Sequence, residues 1–294
     1  MTQKDLLSGT QMMKNNKIFK SAIKTQIIIL VALGTAVCSR VFGQGQNIWK
    51  NKDCAVVLTY DDAIDADLDR VIPALDSLNL KATFYLIGSS PVLQKRLNEW
   101  RNAARNGHEL GNHALFHPCD GSLPGRSFVT TDNDLSKYTV SRAIAEIRIN
   151  NTLLQAIDGK TRRTFAYPCG DRKIGDAFFY TNLKNDFAGA RGVGPGLQTP
   201  TQVDLENIDC YMINGQSAVY MIDLVEKAKK SHTLLVFLFH GVGGGHSINV
   251  DLKEHSKLLH YLQNNEKNIW IAPMVDVAET IAAYQKAKQN KKVD

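Results

Sequence analysis

The sequence predicts an α/β fold with a mostly parallel sheet that closes like a barrel. Short apolar runs alternate with helix-like segments from Asn47 onward, which is the pattern of consecutive β–α units. Polar candidate residues directly follow several of these runs, and parallel α/β folds place their sites at the carboxyl ends of strands. The chain has 294 residues, 44% hydrophobic and 22% charged, which suits a single globular domain with a sizeable core.

The predicted strands are short runs rich in β-branched, aliphatic and aromatic residues. Asp61 follows the first strand, Gly88 the second, Pro168 the fourth and His240 the sixth. In chain order the strands cover 55–60, 81–87, 109–112, 164–167, 188–193, 233–239 and 269–272. This number of parallel strands favours closure of the sheet.

The predicted helices lie between these strands and carry apolar residues at helical spacing. They cover 68–78, 92–106, 136–157, 252–264 and 275–288. Gly107 and Gly159 follow two of them, and glycine is common just past a helix C-terminus. No element is assigned between 194 and 232.

The N-terminus has the pattern of a secretory signal peptide, predicted for residues 1–43. Basic residues from Lys14 to Lys24 precede an apolar run from Ile27 to Cys38 that is shorter than the about 20 residues of a membrane span. Small residues near Gly43 suit cleavage there. We therefore expect an exported protein, periplasmic or extracellular, whose mature domain is 44–294, with no stable membrane span.

Alternatives remain for this leader. Met12 or Met13 is an alternative start, because residues 1–11 add nothing that a signal peptide needs. The segment can also be read as an uncleaved N-terminal anchor. Lipidation at Cys38 is disfavoured by Val37 before it.

The positive charge of the chain belongs mainly to this leader. The formal net charge is +6, but residues 1–43 contain six basic residues and one acidic residue, which leaves about +1 for the rest. A nearly neutral mature domain gives no electrostatic footprint for nucleic acid. No interaction motif indicates a protein partner, so a monomer is the default expectation.

Four cysteines follow the leader: Cys54, Cys119, Cys169 and Cys210. In an exported chain they permit two disulfides, with three alternative pairings, or they are buried thiols. The sequence leaves this pairing open. No CxxC spacing occurs, which argues against a structural zinc knuckle.

Two adjacent carboxylates, Asp61 and Asp62, come just past the first buried strand. Neighbouring side chains on an extended segment point in different directions, so one carboxylate can bind a metal while the other faces a reacting water. The alternative is an acidic residue at the start of a helix, where aspartate is favoured.

Three histidines complete the candidate chemistry. His113 and His117 are four residues apart, which would place both imidazoles on one side of a helical turn, as a metal chelate requires. Ala114 stands where a zinc protease motif needs glutamate, which excludes that motif. His240 follows a strongly apolar strand beside glycines and could transfer protons near neutral pH. The alternative for His240 is a histidine held by loop carbonyls.

Taken in this order, the segments resemble the polysaccharide deacetylases, also called carbohydrate esterase family four or the NodB-homology domain. Residues 59–63, with the sequence TYDDA, are similar to the first family motif, and 107–118 (GHELGNHALFHP) to the second. Residues 165–170 (FAYPCG) are similar to the third, and 238–240 (LFH) to the fifth. The resemblance covers roughly 50–285 and implies a single-domain, distorted (β/α) barrel.

The resemblance also implies an activity, namely hydrolytic removal of N- or O-linked acetyl groups from a glycan. Asp62, His113 and His117 would bind a divalent metal ion, expected to be Zn²⁺. Asp61 would be the general base that deprotonates the attacking water, and His240 the general acid that protonates the leaving group.

Three further residues would line the substrate side of the site. The backbone N–H of Cys169 would stabilise the oxyanion, Leu238 would line the pocket for the acetyl methyl group, and Tyr167 belongs to the same wall. The sequence does not separate N-acetyl from O-acetyl substrates.

The chain departs from the family pattern at three places. Ala166 stands where the third motif normally carries an arginine beside the base, and we hypothesise that Arg191 supplies that charge instead. Cys169 replaces the usual tyrosine, although any residue but proline keeps a backbone N–H. No tryptophan lies between Trp100 and Trp270, so the fourth motif is missing and the subsite walls differ.

Two other functions stay open. A glycosidase could use Asp61 with a distant carboxylate, although that leaves His113 and His117 unexplained. A catalytically inactive carbohydrate-binding relative is the other alternative, because of the missing arginine.

Several weaker features have plain structural interpretations. The glycines of 241–246 predict a mobile rim loop rather than a phosphate site, and His246 in it is not predicted as a ligand. His255 and His260 are expected at the surface. Glu109 could orient a metal ligand, but packing between strands is the simpler interpretation.

Overall fold

The computed structural model describes residues 48–291. The predicted signal peptide, its cleavage region near Gly43 and Cys38 lie outside these residues, so they stay predictions. From Ile48 onward the chain forms one compact unit. None of the described helices is both long enough and apolar enough to cross a lipid bilayer.

The strands form one large sheet and two small ones. In chain order they are Cys54–Asp61 (β1), Thr83–Leu86 (β2), Glu109–Asn112 (β3), Phe165–Ala166 (β4), Lys173–Ile174 (β5), Ala177–Phe178 (β6), Ala190–Arg191 (β7), Tyr211–Met212 (β8), Leu234–Phe239 (β9), Gly241–Val242 (β10), Asn249–Val250 (β11) and Ile269–Ile271 (β12). The large sheet has eight strands in the order β7-β4-β3-β2-β1-β9-β8, with β12 beside β1. β5 pairs with β6, and β10 with β11.

All pairs of the large sheet are parallel, and β1 lies at its centre. Two strands pair with one edge of β1: Cys54 pairs with Ile269 of β12, and Thr59 pairs with Thr83 of β2. The whole of β1 is buried, which is why its sequence is a continuous apolar run instead of an alternating one.

The two outer strands of the large sheet are joined through the segment 208–212. Ile208 N–H donates to the Ala190 carbonyl at 2.8 Å, and Gly192 N–H donates to the Ile208 carbonyl at 2.9 Å. A few residues later Tyr211 pairs with Phe237 of β9. The sheet therefore curls upon itself, and the prediction of a distorted, mostly parallel (β/α) barrel is confirmed.

The helices pack around this sheet. In chain order they are Ile72–Ser77 (α1), Pro91–Lys95 (α2), Leu97–Arg105 (α3), Val140–Asp158 (α4), Ala218–Ser231 (α5), Leu252–Asn264 (α6) and Met274–Asn290 (α7). A π-helical turn, Asp67–Val71, leads into α1, where Pro73 lies in the first turn and needs no N–H partner. The predicted helix 92–106 is divided at Arg96, whose φ of −118° and ψ of 30° leave the helical region.

The sequence analysis missed α5 and β8. The signal for α5 is present, because Ser217 accepts the Tyr220 N–H as an N-cap and Met221, Leu224 and Val225 bury one side. β8 is two residues long, which is too short to show a period.

The alternation of side chains along β1 directs Asp61 into the barrel. Leu58 and Tyr60 pack in one apolar core, whereas Ala55 and Val57 pack in another. Because side chains alternate across a strand, Asp61 lies on the face of Ala55 and Val57.

Two histidines outside the site are buried. The surface prediction is correct for His260 and wrong for His255, whose Nε2 lies 2.8 Å from the Tyr60 hydroxyl. His108 accepts the Ala82 N–H through Nδ1 and lies 3.1 Å from Asp76 through Nε2. Burial is the largest influence on both rings and lowers the pKa of each to about 4.

Glu109 serves packing between elements. Its carboxylate accepts hydrogen bonds from the Thr83 hydroxyl at 2.7 Å, the Thr164 N–H at 2.6 Å and the Val275 N–H at 2.9 Å. These bonds connect β2, β3, the residue before β4, and α7. They agree with the interpretation that Glu109 packs strands together.

Candidate metal and catalytic site

A cleft of about 660 Å³ opens at the carboxyl ends of the central strands. Its lining contains eight of the predicted site residues: Asp61, Asp62, His113, His117, Tyr167, Cys169, Leu238 and His240. The ninth, Arg191, is fully buried against Asp61. Segments far apart in the sequence therefore meet at one edge of the barrel.

Asp61 and Asp62 diverge because the chain turns sharply after β1. Asp61 ends the strand in register with Tyr85, and Asp62 N–H still donates to the Tyr85 carbonyl at 3.1 Å. Asp62 and Ala63 then have φ of 82° and 56°, in the left-handed region. Asp61 consequently contacts Arg191, with His113 Nε2 3.6 Å from its Oδ2, whereas Asp62 Oδ1 lies 3.5 Å from both His113 and His117.

His113 and His117 converge without a helix, so the predicted helical turn is wrong. Residues 113–117 have no helical assignment, and Ala114 and His117 have φ of 60° and 52°. Asn112 accepts the Ala114 N–H at 2.8 Å, and Asn150 of α4 donates to the Ala114 carbonyl at 3.0 Å. This side-chain scaffold folds the segment back, and the two imidazole centroids lie 4.6 Å apart.

The metal triad, as we name Asp62, His113 and His117, has the geometry of a ligand set. Asp62 Oδ1 lies 3.5 Å from His113 Nε2 and 3.5 Å from His117 Nε2. The three ligand atoms lie within 4.8 Å of one another. His113 Nδ1 lies 2.9 Å from the Ala166 carbonyl, which holds the ring by its other nitrogen, as partners of metal-binding histidines do.

An unpaired buried oxygen shows that the triad fits a cation. Among the described residues, Asp62 Oδ1 is buried and has no hydrogen-bond partner. Leaving such an atom unpaired is costly, whereas a cation between it and the two imidazole nitrogens would satisfy all three. One carboxylate oxygen and two histidines are ligands that suit zinc, with positions left open for water and substrate.

The electrostatics of the triad favour a positive charge at this place. Burial by itself would raise the pKa of Asp62, but the nearby ring of His113, with smaller effects of His117 and His240, lowers it below its usual range. Burial would lower the pKa of His113, but Asp61 and Asp62 outweigh that effect and raise it. Burial and the charge of His113 lower the pKa of His117 to about 4, which leaves its nitrogen free to act as a ligand.

One disulfide and two buried thiols account for the cysteines in the described part of the chain. Cys119 and Cys169 are bonded, with a Cα–Cα distance of 5.7 Å. Cys54 and Cys210 are buried free thiols. Although Cys119 and Cys169 lie close to His117, the disulfide occupies both sulfurs, so they do not form a second ligand set with it.

Arg191 contacts Asp61. Its Nη2 donates to Asp61 Oδ2, its Nη1 donates to the Gly192 carbonyl at 2.9 Å, and its guanidinium lies 5.0 Å from the centre of the Tyr85 ring. Burial alone would lower the pKa of Arg191, but the Asp61 carboxylate outweighs it and keeps the pKa above its ordinary value. In the sheet, Arg191 of β7 is the direct parallel partner of Ala166 of β4.

Two histidines lie on the other side of Asp62. His240 Nε2 is 4.0 Å and His246 Nε2 is 3.7 Å from Asp62 Oδ2. Their rings stack at 4.8 Å, and Ile248 N–H donates to His246 Nδ1 at 3.0 Å. Burial lowers the pKa of His240 although Asp61 and Asp62 oppose this. His246 therefore reaches the site. The glycines before it were the signal in the sequence that this loop could fold back, and Gly243 has a positive φ in the structure.

The remaining wall combines predicted and unforeseen residues. Tyr167 turns its hydroxyl away from the triad and donates to the Glu206 carbonyl at 2.7 Å, while Cys169, with φ of 55°, faces the cleft. The sequence analysis did not name the loop residues of this wall, because loops carry no periodic signal. The unforeseen residues are Gly125, Arg126, Phe128, Val193, Met212 of the short strand β8, Ser247 and Ile248.

Comparisons with known proteins agree with the resemblance seen in the sequence. The family model for polysaccharide deacetylase matches residues 50–181. YheN of Bacillus subtilis, a provisionally named polysaccharide deacetylase, is 28% identical over 134 residues, covering 46% of this chain and 42% of that protein. A peptidoglycan-N-acetylglucosamine deacetylase of Bacillus cereus is 38% identical over 64 residues, covering 21% of this chain and 22% of the relative.

A third relative, a bifunctional xylanase/deacetylase of Pseudobutyrivibrio xylanivorans, is 26% identical over 147 residues, covering 47% of this chain and 24% of the relative. The chain thus spans less than half the length of each of these curated relatives.

Solved structures share the fold at low identity. A provisionally named polysaccharide deacetylase from Mycobacterium smegmatis has a TM-score of 0.56 at 13% identity, covering 80% of this chain and 92% of that one. The allantoinase PuuE also has a TM-score of 0.56, at 10% identity, covering 82% of this chain and 95% of that one. Two different activities with equal likeness show that the fold alone does not decide the reaction.

Proposed function

We propose that the chain, whose residues 50–181 match the family model for polysaccharide deacetylase, is a metal-dependent hydrolase that removes acetyl groups from a glycan. The observation that carries this proposal is Asp62 Oδ1, which is buried, unpaired and 3.5 Å from each of two imidazole nitrogens. The names of the relatives include both an N-acetylglucosamine deacetylase and a xylanase/deacetylase. Both amide and ester substrates are therefore included in the proposal.

Asp62, His113 and His117 would hold the ion, which we propose to be Zn²⁺. The ion would supply Lewis acidity and lower the pKa of a water to about 7. The contact of His113 Nδ1 with the Ala166 carbonyl would keep the ring oriented with Nε2 toward the ion.

Asp61 would act as the general base. Arg191 engages Oδ2, while Oδ1 is buried and has no hydrogen-bond partner among the described residues. Oδ1 is therefore available to accept a proton from the attacking water. The guanidinium would hold the carboxylate in one orientation.

His240 would act as the general acid. Its Nε2 points toward the Asp62 side of the cleft, at 4.0 Å from Oδ2, and the residue lines the same cleft as Asp61. Burial lowers the pKa of His240, so a proton on this ring is released readily to a leaving amine or alkoxide. Base and acid would then transfer one proton each.

The wall of the cleft would bind the acetyl group. The backbone N–H of Cys169 is proposed to donate to the developing oxyanion, a contribution worth about 3 kcal/mol in comparable sites. Leu238, at the end of β9, lines the cleft and would contact the acetyl methyl group. Tyr167 would form the wall beside them through its ring.

The alternative activities are less well supported. Among the residues that the structure describes, Asp61 and Asp62 are the only carboxylates that line the cleft, and Asp62 faces the two histidines. A glycosidase needs two carboxylates free to act on the sugar. An inactive binding protein would not need Asp61 Oδ1 and Asp62 Oδ1 to be kept unpaired, since each costs free energy of folding.

Export of the protein stays part of the proposal. The disulfide between Cys119 and Cys169 suits an oxidising compartment outside the cytoplasm. It thus supports the signal peptide predicted for residues 1–43.

Acetate release by the mature domain tests the proposed function. The substrates are acetylated xylan and chitooligosaccharides, assayed metal-free and after addition of zinc. We expect zinc-dependent release that falls by about 10² to 10⁴-fold in Asp61→Asn. Asp223→Asn, an exposed aspartate on α5, is the matched control and should keep full activity. Zinc-independent release, or equal loss in both variants, would refute the proposal.

A further inference from the structure

The loop between β10 and β11, residues 243–248, carries His246 and is closed at its base. β10 pairs with β11, and Gly243 N–H donates to the Val250 carbonyl at 2.8 Å. Inside the loop, Gly244 N–H donates to Asn249 Oδ1 at 2.7 Å. These bonds fold the loop back on itself, so His246 is carried by a held turn.

A second anchor ties this loop to the segment that follows β1. Arg70, in the π-helical turn before α1, donates through Nη1 to the Val242 carbonyl at 3.1 Å and to the Gly243 carbonyl at 2.5 Å. Gly245 has φ of 92°, and a Cβ there would lie only 3.1 Å from the Ala66 Cβ. The close approach of the loop to this segment therefore depends on glycine.

A hydrogen bond to Nδ1 fixes which nitrogen of His246 carries the proton. Ile248 N–H donates to His246 Nδ1 at 3.0 Å. The Ile248 carbonyl lies farther from that nitrogen, at 3.3 Å, and already accepts the Gly241 N–H at 3.0 Å. We therefore assign Nδ1 as the acceptor, and the neutral ring carries its proton on Nε2. In this state Nε2 donates a hydrogen bond and is not available as a metal ligand.

His246 Nε2 faces the outer oxygen of Asp62. It lies 3.7 Å from Asp62 Oδ2, and a shift of about 0.5 Å brings the two atoms to the roughly 3.2 Å that a hydrogen bond allows. His240, whose ring stacks on His246, lies farther from Oδ2, at 4.0 Å. The other oxygen, Oδ1, faces the two imidazoles of the metal triad. The two oxygens of Asp62 thus face different pairs of histidines.

A carboxylate ligand is fixed best when its second oxygen has a hydrogen-bond partner of its own. With only Oδ1 engaged, the Asp62 carboxylate could rotate away from the ion. It could also bind the ion through both oxygens and fill a position that water or substrate needs. A donor held against Oδ2 opposes both movements.

We propose that His246 is a positioning residue whose Nε2–H donates to Asp62 Oδ2 and keeps Oδ1 directed at the metal ion. This inference rests on the proposed function, because it needs an ion at the metal triad. In this role His246 touches neither the ion nor the substrate and acts through Asp62. It orients Asp62 as Arg191 orients Asp61, from a different part of the sheet.

Two substitutions of similar size separate hydrogen bonding from packing. His246→Gln keeps an N–H donor, whereas His246→Leu fills the space without one. The affinity for zinc is measured by calorimetric titration of the metal-free mature domain. We expect His246→Leu to lower it by about 10- to 100-fold, as loss of a partner of a metal ligand does, and His246→Gln to stay within about threefold of the wild type. His260→Leu, exposed on α6, is the matched control.

The KM separates this role from contact with the substrate. At zinc concentrations that saturate the weakened site, His246→Leu should have the wild-type KM for a chitooligosaccharide. A raised KM with unchanged zinc affinity would overturn the proposal. Equal losses of zinc affinity in His246→Leu and His246→Gln would also overturn it, because the ring itself would then be required.

The zinc titration needs no turnover, so it separates this inference from the proposed activity. If the wild type binds zinc and the two variants differ as expected, the positioning role stands even where no acetate is released, and only the activity fails. If acetate is released while both variants bind zinc as the wild type does, the positioning role fails and the activity stands.

Discussion

The metal triad and the contact between Asp61 and Arg191 are built in opposite ways. His113 and His117 come from one short segment after β3, and their geometry is set by Asn112 at the start of that segment together with Asn150 of α4. Arg191 reaches Asp61 across 130 residues of sequence. The first arrangement depends on a motif, whereas the second depends on the order of strands in the sheet.

This difference explains how an arginine outside the third motif can still contact Asp61, the proposed base. Ala166, at the position where the third motif carries arginine, pairs in register with Arg191 on the neighbouring strand. Paired residues of parallel strands share a face of the sheet and lie about 4.8 Å apart. A long side chain from β7 can therefore occupy the space that a side chain from β4 would fill. The following predictions test this contrast, beginning with the largest effect.

Removing one of the proposed ligands should abolish metal binding at the metal triad. In His117→Ala we expect the affinity for zinc to fall by more than about 100-fold, because losing a residue that merely orients a ligand already lowers metal affinity by up to about that factor. Acetate release should fall in parallel. Calorimetric titration of the metal-free protein with zinc measures this. His260→Ala, on the surface of α6, is the control. Unchanged zinc affinity in His117→Ala would show that the triad is not the metal site.

Removing the distant arginine should slow the reaction without removing the metal. Arg191→Ala is expected to lower kcat by about 10²-fold, because the proposed base loses the group that orients it. It should also lower the free energy of unfolding by about 3 to 5 kcal/mol, since Asp61 is left as an unpaired buried charge. Zinc affinity should stay close to that of the wild type.

Two further variants separate catalysis from stability at this position. Arg163→Ala removes another buried arginine, paired with Asp158 at 3.2 Å, and should cost stability without lowering kcat to the same degree. Returning the arginine to its motif, in Ala166→Arg with Arg191→Ala, should restore part of kcat. A folded double variant as slow as Arg191→Ala would contradict the exchange between β4 and β7.

The disulfide joins the segment that follows His117 to the segment that follows β4, so its loss should affect both stability and the wall of the cleft moderately. It spans a sequence separation of 50 residues, for which the chain-entropy relation gives about 4 kcal/mol of stabilisation. In the double variant Cys119→Ser with Cys169→Ser, we expect denaturant titrations to show a free energy of unfolding lower by about this amount. Acetate release should also fall, because Cys169 is displaced from the wall of the cleft. Cys54→Ala is the control and should respond to a reductant as the wild type does. Unchanged stability would show that the loop needs no cross-link.

The smallest effect concerns acid stability, away from the site. Burial lowers the folded-state pKa of His255 to about 4, from an ordinary value of 6.5. Above pH 6.5 the ring is neutral in both states; below it the unfolded chain binds a proton first, so stability falls as the pH drops toward 4. His255 alone should account for about 3 kcal/mol of this loss.

His255→Gln removes the titrating group and keeps a donor for Tyr60, so the fall in stability between pH 6.5 and 4 should be smaller by about that amount. His260→Gln is the exposed control. The measurement is urea unfolding at a series of pH values. Parallel pH profiles for the wild type and His255→Gln would contradict the buried neutral ring.

Local patterns were sufficient for most strands, and together with the family resemblance for eight of the residues that line the cleft. The apolar run of β1 and the polar residues after it predicted where Asp61 and Asp62 lie, because a strand and its end are contiguous in sequence. The conformation of 113–117 was not predictable from spacing, since a four-residue interval fits a helical turn as well as the fold observed. The side chains that hold Ala114 come partly from α4, far along the chain.

Tertiary contacts account for what the sequence left open or predicted wrongly. The partner of Cys119 and the burial of His255 depend on which elements pack together, and neither has a local signature. The helix α5 is different, because its apolar spacing was present in the sequence and was overlooked.

The central claim, that the metal triad makes this protein a hydrolase, is tested most directly by titrating the metal-free mature domain with zinc. Bound zinc and acetate release from a chitooligosaccharide or acetylated xylan would be measured in the same samples. The account predicts that activity rises in proportion to bound zinc and levels off at about one ion per chain, with neither signal in Asp62→Ala. Acetate release that is independent of bound zinc, or zinc binding that persists in Asp62→Ala, would contradict it.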